Sequence, residues 1–281
     1  DKKFVKNHHL KAIIVIYLTL ALMFSIEPTK KLNLPHGKKA FFASDFHLGA
    51  PDFPKSLIRE KKIVNWMKSI RSETGVLFLV GDLFDFWFEY KHVIPKGYTR
   101  FLAEISNFVE DGIPVFVFTG NHDIWMFDYL EKEIGVKIIY QPTVFNINNI
   151  KFYVGHGDGL GPGDSKFKFL KKVFTFPLFQ KMFSWLHPDI GVGLAQSWSN
   201  HSRTNPEDEK FEGDENERLF IYSKSIHPEV QASYYVYGHR HLPLSLKIDE
   251  TSKYINLGDW IHNYTFLEVD GTQVELKKHL L

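Results

Sequence analysis

The sequence predicts an α/β fold: a β-sandwich flanked by helices, with an inserted helical cap. Three observations point there. From Lys38 onward, short apolar runs alternate with segments of helical spacing. After Tyr234 the apolar runs follow one another without helices between them, as in packed sheets. Residues 160–232 break this rhythm with a basic aromatic stretch followed by an acidic one.

Residues 1–35 are set apart as an N-terminal extension. Ala12 to Ile26 is apolar and charge-free, and follows Lys2, Lys3, Lys6 and Lys11. It is short for a membrane span and about right for the apolar region of a signal. An anchor and an extension outside the working fold both fit it. The main domain is expected over 36–281. Lys38 to Ser44 reads as a buried strand, and Leu57 to Ile70 as a helix from the spacing of Leu57, Ile58, Ile63, Trp66, Met67 and Ile70. Val76 to Val80 is all apolar, the pattern of a central strand. Tyr98 to Val109 reads as a helix, Val115 to Thr119 as another central strand, and Tyr129 to Ile134 as a short helix. Strands are expected at Lys137–Tyr140, Thr143–Ile147, Lys151–Gly155, Tyr234–Tyr237, Leu244–Ile248, Tyr254–Leu257 and Thr265–Val269.

The cap is expected over 160–232. Lys166 to His187 holds five Lys, seven Phe or Trp and no acid. Within it Leu178, Met182, Trp185 and Leu186 share a helical face. Glu207 to Glu217 reads as a solvated acidic loop, and Arg218 to Ile226 as a helix.

Composition narrows the chemistry. A chain of 281 residues can build one large domain with a sizeable core. The net charge of +1 supplies no global field to draw nucleic acid. With no cysteine, disulfides and thiolate metal sites are excluded, and a reducing compartment is permitted. The 26 Phe and 6 Trp leave aromatic surface that can meet an apolar ligand as well as fill a core.

Five short motifs end the predicted strands: Asp45-Phe46-His47, Gly81-Asp82, Gly120-Asn121-His122-Asp123, Gly155-His156 and Gly238-His239-Arg240-His241. In α/β sheets the carboxyl ends of strands are where sites assemble. Imidazole and carboxylate donors without thiolate suit Mn, Fe, Zn or Ni, with Mg less favoured by so many His. On an extended backbone, Asp45 and His47 point the same way, as do His239 and His241. Two such pairs plus single donors can enclose two cations, with a carboxylate such as Asp82 between them.

This series resembles the calcineurin-like metallophosphoesterase superfamily over residues 38–270. The resemblance implies a four-layer αββα sandwich. It implies that Asp45, His47, Asp82 and His241 hold one metal ion, and that Asp82, Asn121, His156 and His239 hold the other. His122 matches the catalytic histidine of the family, with Asp123 orienting it. Two divalent metal ions, Mn most favoured, would clamp a phosphoryl group, activate water and offset charge on the phosphoryl oxygens.

The wording around Gly81–Trp87, His156–Asp164 and Ile255–Trp260 is similar to the UDP-2,3-diacylglucosamine diphosphatase family of lipid A synthesis, in its Bacteroidetes-type branch. That resemblance implies cleavage of a sugar-nucleotide pyrophosphate to UMP and 2,3-diacylglucosamine 1-phosphate. It implies substrate contacts from Asn121, His122, His239 and Asp164. Ser199 and Arg203 are candidate cap contacts to nucleotide or phosphate, and Lys168 and Lys171 weaker ones. Trp87, Phe88 and Tyr90 are candidate liners of an acyl or uridine pocket. The partner is then a lipid-linked nucleotide sugar. A Lys- and Phe-rich cap fits a membrane surface, hence a cytoplasmic location peripheral to the inner membrane. No nucleic acid and no obligate protein partner are expected. The proteobacterial form of that family carries Arg after the motif Asn, where this chain has His122. A phosphodiesterase or nucleotide pyrophosphatase with a soluble substrate stays open as an alternative, as does a non-catalytic binding scaffold.

Overall fold

The computed structural model describes residues 27–163, 165–202 and 210–280. The first half holds β1 (Glu27–Leu32), β2 (Lys39–Ala43), α1 (Phe53–Ile70), β3 (Thr74–Val80), α2 (Thr99–Glu110) and β4 (Val115–Phe118), then a helical turn at Leu130–Ile134 where a short helix was expected, and β5 (Lys137–Ile139), β6 (Thr143–Ile147) and β7 (Ile150–Val154) in succession. The cap region supplies α3 (Ser165–Phe174), α4 (Pro177–Phe183) and α5 (Pro188–Ser202), and α6 (Arg218–Val230) follows. The chain closes with β8 (Tyr234–Tyr237), β9 (Pro243–Lys247), β10 (Lys253–Leu257), β11 (Thr265–Asp270) and β12 (Gln273–Lys278).

Two mixed sheets result. One has the order β1-β6-β7-β8-β10-β9, the other β12-β11-β2-β3-β4-β5. Strand periodicity sorts their side chains into layers. In β2 and β3, Phe42, Val76, Phe78 and Val80 face the other sheet and meet Phe145, Phe152, Val236 and Ile255. Phe41, Leu77 and Leu79 face outward and are covered by Ile63, Trp66 and Met67 of α1 with Phe101, Ile105 and Phe108 of α2. On the opposite side, Tyr153, Tyr235, Tyr237 and Tyr254 are covered by Leu219, Phe220 and Val230 of α6. The layers therefore run helix, sheet, sheet, helix.

Four expectations are corrected. Residues 27–35 belong to the fold, because β1 pairs in parallel with β6 and the Leu34 amide donates to Asn148; the apolar run at Ala12–Ile26 lies outside the described residues. The helical face expected to hold Leu178, Met182, Trp185 and Leu186 is cut short: Pro177 opens α4, the helix stops at Phe183, and Trp185 and Leu186 lie in the turn before α5. The helix at Arg218 is a layer of the sandwich and not part of the cap. Glu217 is buried, not solvated, and accepts from Arg240 Nε and Tyr254 Oη, each at 3.2 Å.

The cap is anchored by aromatic contact. Phe86, Phe88 and Trp125 pack against Phe174, Phe179 and Phe183, and Trp125 Nε1 donates to the Phe174 carbonyl at 2.8 Å. Leu178 and Met182 of α4, and Trp185 and Leu186 in the turn after it, are exposed and look away from the sandwich.

Candidate metal centre

Every motif lies just beyond a strand end, on the same edge of the sandwich. Asp45 and His47 follow β2, Asp82 follows β3, Asn121 and His122 follow β4, His156 follows β7, and His239 and His241 follow β8. The first three strands belong to one sheet and the last two to the other, so the donors meet across the seam.

The backbone that presents them is not extended. Asp45 (φ 55°), His47 (φ 43°), Asp82 (φ 52°), His239 (φ 69°) and His241 (φ 54°) all occupy the left-handed region. The shared direction of each D-x-H and H-x-H pair thus comes from repeated left-handed turns, not from strand geometry. Non-glycine residues adopt such angles at a cost that the surroundings must offset. The surroundings here are hydrogen bonds. Asp45 N and His47 N donate to the carbonyls of Gly81 and Asp82, and His239 N donates to Asp45 Oδ2 at 3.0 Å. His122 N donates to Asp82 Oδ1 at 2.9 Å. Arg59, reaching from α1, donates to the carbonyls of His47 and Ala50. Asn263 Nδ2 donates to the His241 carbonyl at 2.9 Å. Three motif glycines are needed for space: a Cβ at Gly81 would collide with the His156 ring, one at Gly120 with the Asp82 carboxylate, and one at Gly238 with that of Asp45.

The donor atoms converge in three overlapping groups: Asp45, His47 and His241; His47, Asp82 and His122; and Asp82, His156 and His239. Within each, they lie within 4.8 Å of one another. His47 Nε2 is 3.1 Å from His241 Nε2 and 3.7 Å from Asp82 Oδ2. His241 Nε2 is 3.3 Å from Asp45 Oδ1, and His156 Nε2 is 3.2 Å from Asp82 Oδ2. Asp82 is shared between groups, as a bridging carboxylate requires. Among the described residues, Asn121 Oδ1 is buried with no hydrogen-bond partner, a costly state that a cation would relieve. His156 Nδ1 lies 2.8 Å from the Val80 carbonyl, so a neutral ring carries its proton there and turns the Nε2 lone pair inward. The residues present fit divalent metal.

Within the cluster the buried acids and imidazoles shift one another. Burial opposes the charge on Asp45 and Asp82, yet the surrounding imidazoles hold both below the usual carboxylate range. Burial likewise opposes a charged His156, but Asp82 outweighs it and pushes His156 up to about 10. Burial lowers His122 to about 4 against the pull of Asp82, and lowers His239 to about 4 with help from His156. Burial and the neighbouring Asp82 push Asp123 up to about 7.

Asp123 does not orient His122. Its Oδ1 accepts from Gly120 N and its Oδ2 from Leu83 N, both at 2.7 Å, so it splices the loops after β3 and β4. The His122 ring is set by Asp85: Nδ1 lies 3.0 Å from the Asp85 carbonyl and 3.6 Å from its carboxylate. The same carboxylate is 3.7 Å from His47 Nδ1. Asp85 was visible in the sequence only as a second acid three positions after Asp82. Trp87 and Phe88 are fully buried core, Trp87 stacking on Phe84, and do not line a pocket. Tyr90 does: with Asp85, Phe86, Tyr98 and Val192 it lines a cleft of about 640 Å³ between the sandwich and α5. Lys168 and Lys171 are engaged by the loop after β7. Asp164 and Arg203 lie outside the described residues, as does the side chain of Ser199.

Residues 39–243 match the family model for calcineurin-like phosphoesterases. The chain belongs to the calcineurin-like phosphoesterase family. It is a phosphoester or pyrophosphate hydrolase. A UDP-2,3-diacylglucosamine hydrolase of Porphyromonas gingivalis is 32% identical over 255 residues, covering 85% of this chain and 97% of the relative. An enzyme of the same name from a Shewanella species is 22% identical over 242 residues, covering 85% and 96%. Among solved structures, a dimetal phosphatase from Danio rerio is 12% identical, covering 86% of this chain and 95% of the other, with a TM-score of 0.42. Like other members of its family, this phosphoesterase carries the donor types that bind divalent metal.

Proposed function

We propose that the protein hydrolyses the pyrophosphate of UDP-2,3-diacylglucosamine, releasing UMP and 2,3-diacylglucosamine 1-phosphate, as a step of lipid A synthesis. The observation that carries the substrate is the relative bearing that enzyme's name, matched at 32% identity across 97% of its length. The cleft of about 640 Å³ beside Asp85 supports it, because Phe86, Val93, Ile94 and Val192 give it apolar walls next to the donor cluster.

Asp45, His47, Asp82 and His241 would hold one metal ion, and Asp82, Asn121, His156 and His239 the other, with Mn preferred. Bound there, the pair supplies Lewis-acid polarisation of the phosphoryl group and activation of water. The protein supplies the rest. Asp82 fixes the spacing of the two half-sites. His122 faces the same centre, and its Nδ1–H is committed to the Asp85 carbonyl, so Nε2 is the atom that contacts the phosphoryl or leaving oxygen. The Asp85 carboxylate steadies a positive charge on that ring. Asn121 and His239 contact substrate as well as metal. Asp164, Ser199 and Arg203 are the further candidate contacts to substrate. The enzyme works in the cytoplasm, peripheral to the inner membrane, with the cap toward the lipid.

Product analysis tests the reading. Mn-loaded enzyme with UDP-2,3-diacylglucosamine should yield UMP and the lipid 1-phosphate in equal amounts. Release of UDP or inorganic phosphate would reject the bond assignment. Equal turnover of lipid-free UDP-sugars would reassign the enzyme to a soluble nucleotide.

A further inference from the structure

The two groups of donors are not supported alike. The Asp45, His47 and His241 group is held by the sandwich: Arg59 reaches the His47 carbonyl, Trp260 N donates to the Asp45 carbonyl at 3.1 Å, and Asn263 grips His241. The group of Asp82, His156 and His239 has a helix of the cap against it. Phe167 of α3 lies with its ring 6.4 Å from that of His239. One turn on, Lys171 Nζ sits 2.6 Å from Asp158 Oδ2 and 3.3 Å from the Asp158 carbonyl. Lys168 Nζ donates to the Gly161 carbonyl. Lys171 lies four residues after Phe167 and three after Lys168, so it neighbours both on one side of α3, the side turned to this loop and to His239.

Asp158 is two residues beyond His156 and only 4% exposed. A carboxylate this deep needs a countercharge, and Lys171 is the cation placed on it. Taking Lys171 away strands a buried charge. The Gly157–Gly159 loop must then open to hydrate it, and His156, on the same loop, moves with it.

We infer that α3 is a wall of the half-site formed by Asp82, His156 and His239, with Lys171 and Phe167 as positioning residues. The cap therefore sets the geometry of one metal position and leaves the other to the sandwich. This rests on the two-metal reading above. It assigns Lys171 to the loop and not to substrate.

The test is Mn2+ binding to metal-stripped full-length protein, by titration calorimetry and by the electron paramagnetic resonance signal of a spin-coupled Mn pair. Wild-type protein should bind two ions and show the coupled signal. Lys171→Met should keep one ion within about twofold and bind the second at least about tenfold more weakly, with the coupled signal replaced by that of a single ion. Lys171→Arg should restore both sites. Lys171→Met combined with Asp158→Asn should recover most of the lost affinity, because no charge is then stranded. The inference is overturned if Lys171→Met binds both ions like wild type, or if it loses both equally along with its melting temperature. A wild-type protein that binds no Mn pair would overturn the metal-centre reading as well.

Discussion

Five donor residues sit at positive φ, and this is where sequence reasoning stopped short. Their identities and order were legible, because Asp, Asn and His after apolar runs have few structural uses. Their backbone was not, because Asp and His, though enriched among the non-glycine residues at such angles, still adopt them too seldom for a sequence to show it. The roles of Asp85 and Asp123 were hidden for a related reason: each is an acid in a motif, and only the fold decides which loop it faces. Two outcomes follow at this scale. Gly120→Ala places a methyl on the Asp82 carboxylate, so it should abolish metal binding and lower turnover at least about a hundredfold, read by metal content and kcat. Asp85→Asn keeps the carbonyl that accepts from His122 but removes the charge near His122 and His47. It should lower kcat by roughly 10–100-fold while KM and melting temperature stay close to wild type. An unchanged kcat would show that the Asp85 carboxylate is dispensable.

At the level of elements, the central strands were readable, as were the edge strands β5 and β9, but the edge strands β1 and β12 were not. β2, β3 and β4 are buried on both faces, which leaves continuous apolar runs. β1 and β12 lie at sheet edges and carry Lys30, Lys31, Lys277 and Lys278, the charges that keep an edge from pairing with another chain, and so they read as loops. Charge also ties strands together. Glu268 on β11 accepts from Lys277 of β12 at 2.7 Å and from Lys39 of β2 at 3.2 Å. Burial opposes the charge of Glu268, but the two lysines prevail and hold it below its ordinary value of 4.5. A carboxylate depressed in the folded state adds stability above its unfolded pKa and loses it as pH falls through the folded one. Glu268→Gln should therefore melt below wild type at neutral pH, with the gap closing as pH drops under about 4.5. A gap independent of pH, measured by thermal melts across that range, would mean that packing and not charge is lost.

For the whole molecule, two surfaces matter: the seam and the outside of the cap. No helix among the described residues is long and apolar enough to cross a membrane. The cap nevertheless exposes Phe169 at 69%, Leu178 at 59% and Trp185 at 76%, in a stretch whose only charges are lysines. Apolar groups among lysines suit an anionic lipid surface, with attraction screened by salt. Trp185→Ser with Leu178→Ser should reduce sedimentation with anionic vesicles, while hydrolysis of a detergent-dispersed substrate is kept. The seam makes a separate demand. Donors from β2, β3 and β4 face donors from β7 and β8, so ions seated between them join the two sheets. An ion that binds only the folded chain stabilises it by about 2.7 kcal/mol at a hundredfold excess over its dissociation constant. At roughly 2–4 °C per kcal/mol for a chain of this size, chelation should lower the melting temperature by about 5–10 °C, and Mn should restore it. Amide exchange locates the effect. Protection should fall at the carboxyl ends of strands in both sheets, around Ser44, Gly81, Gly155 and Gly238, while the α1–α2 layer stays protected. Loss confined to one sheet would show that the ions do not span the seam.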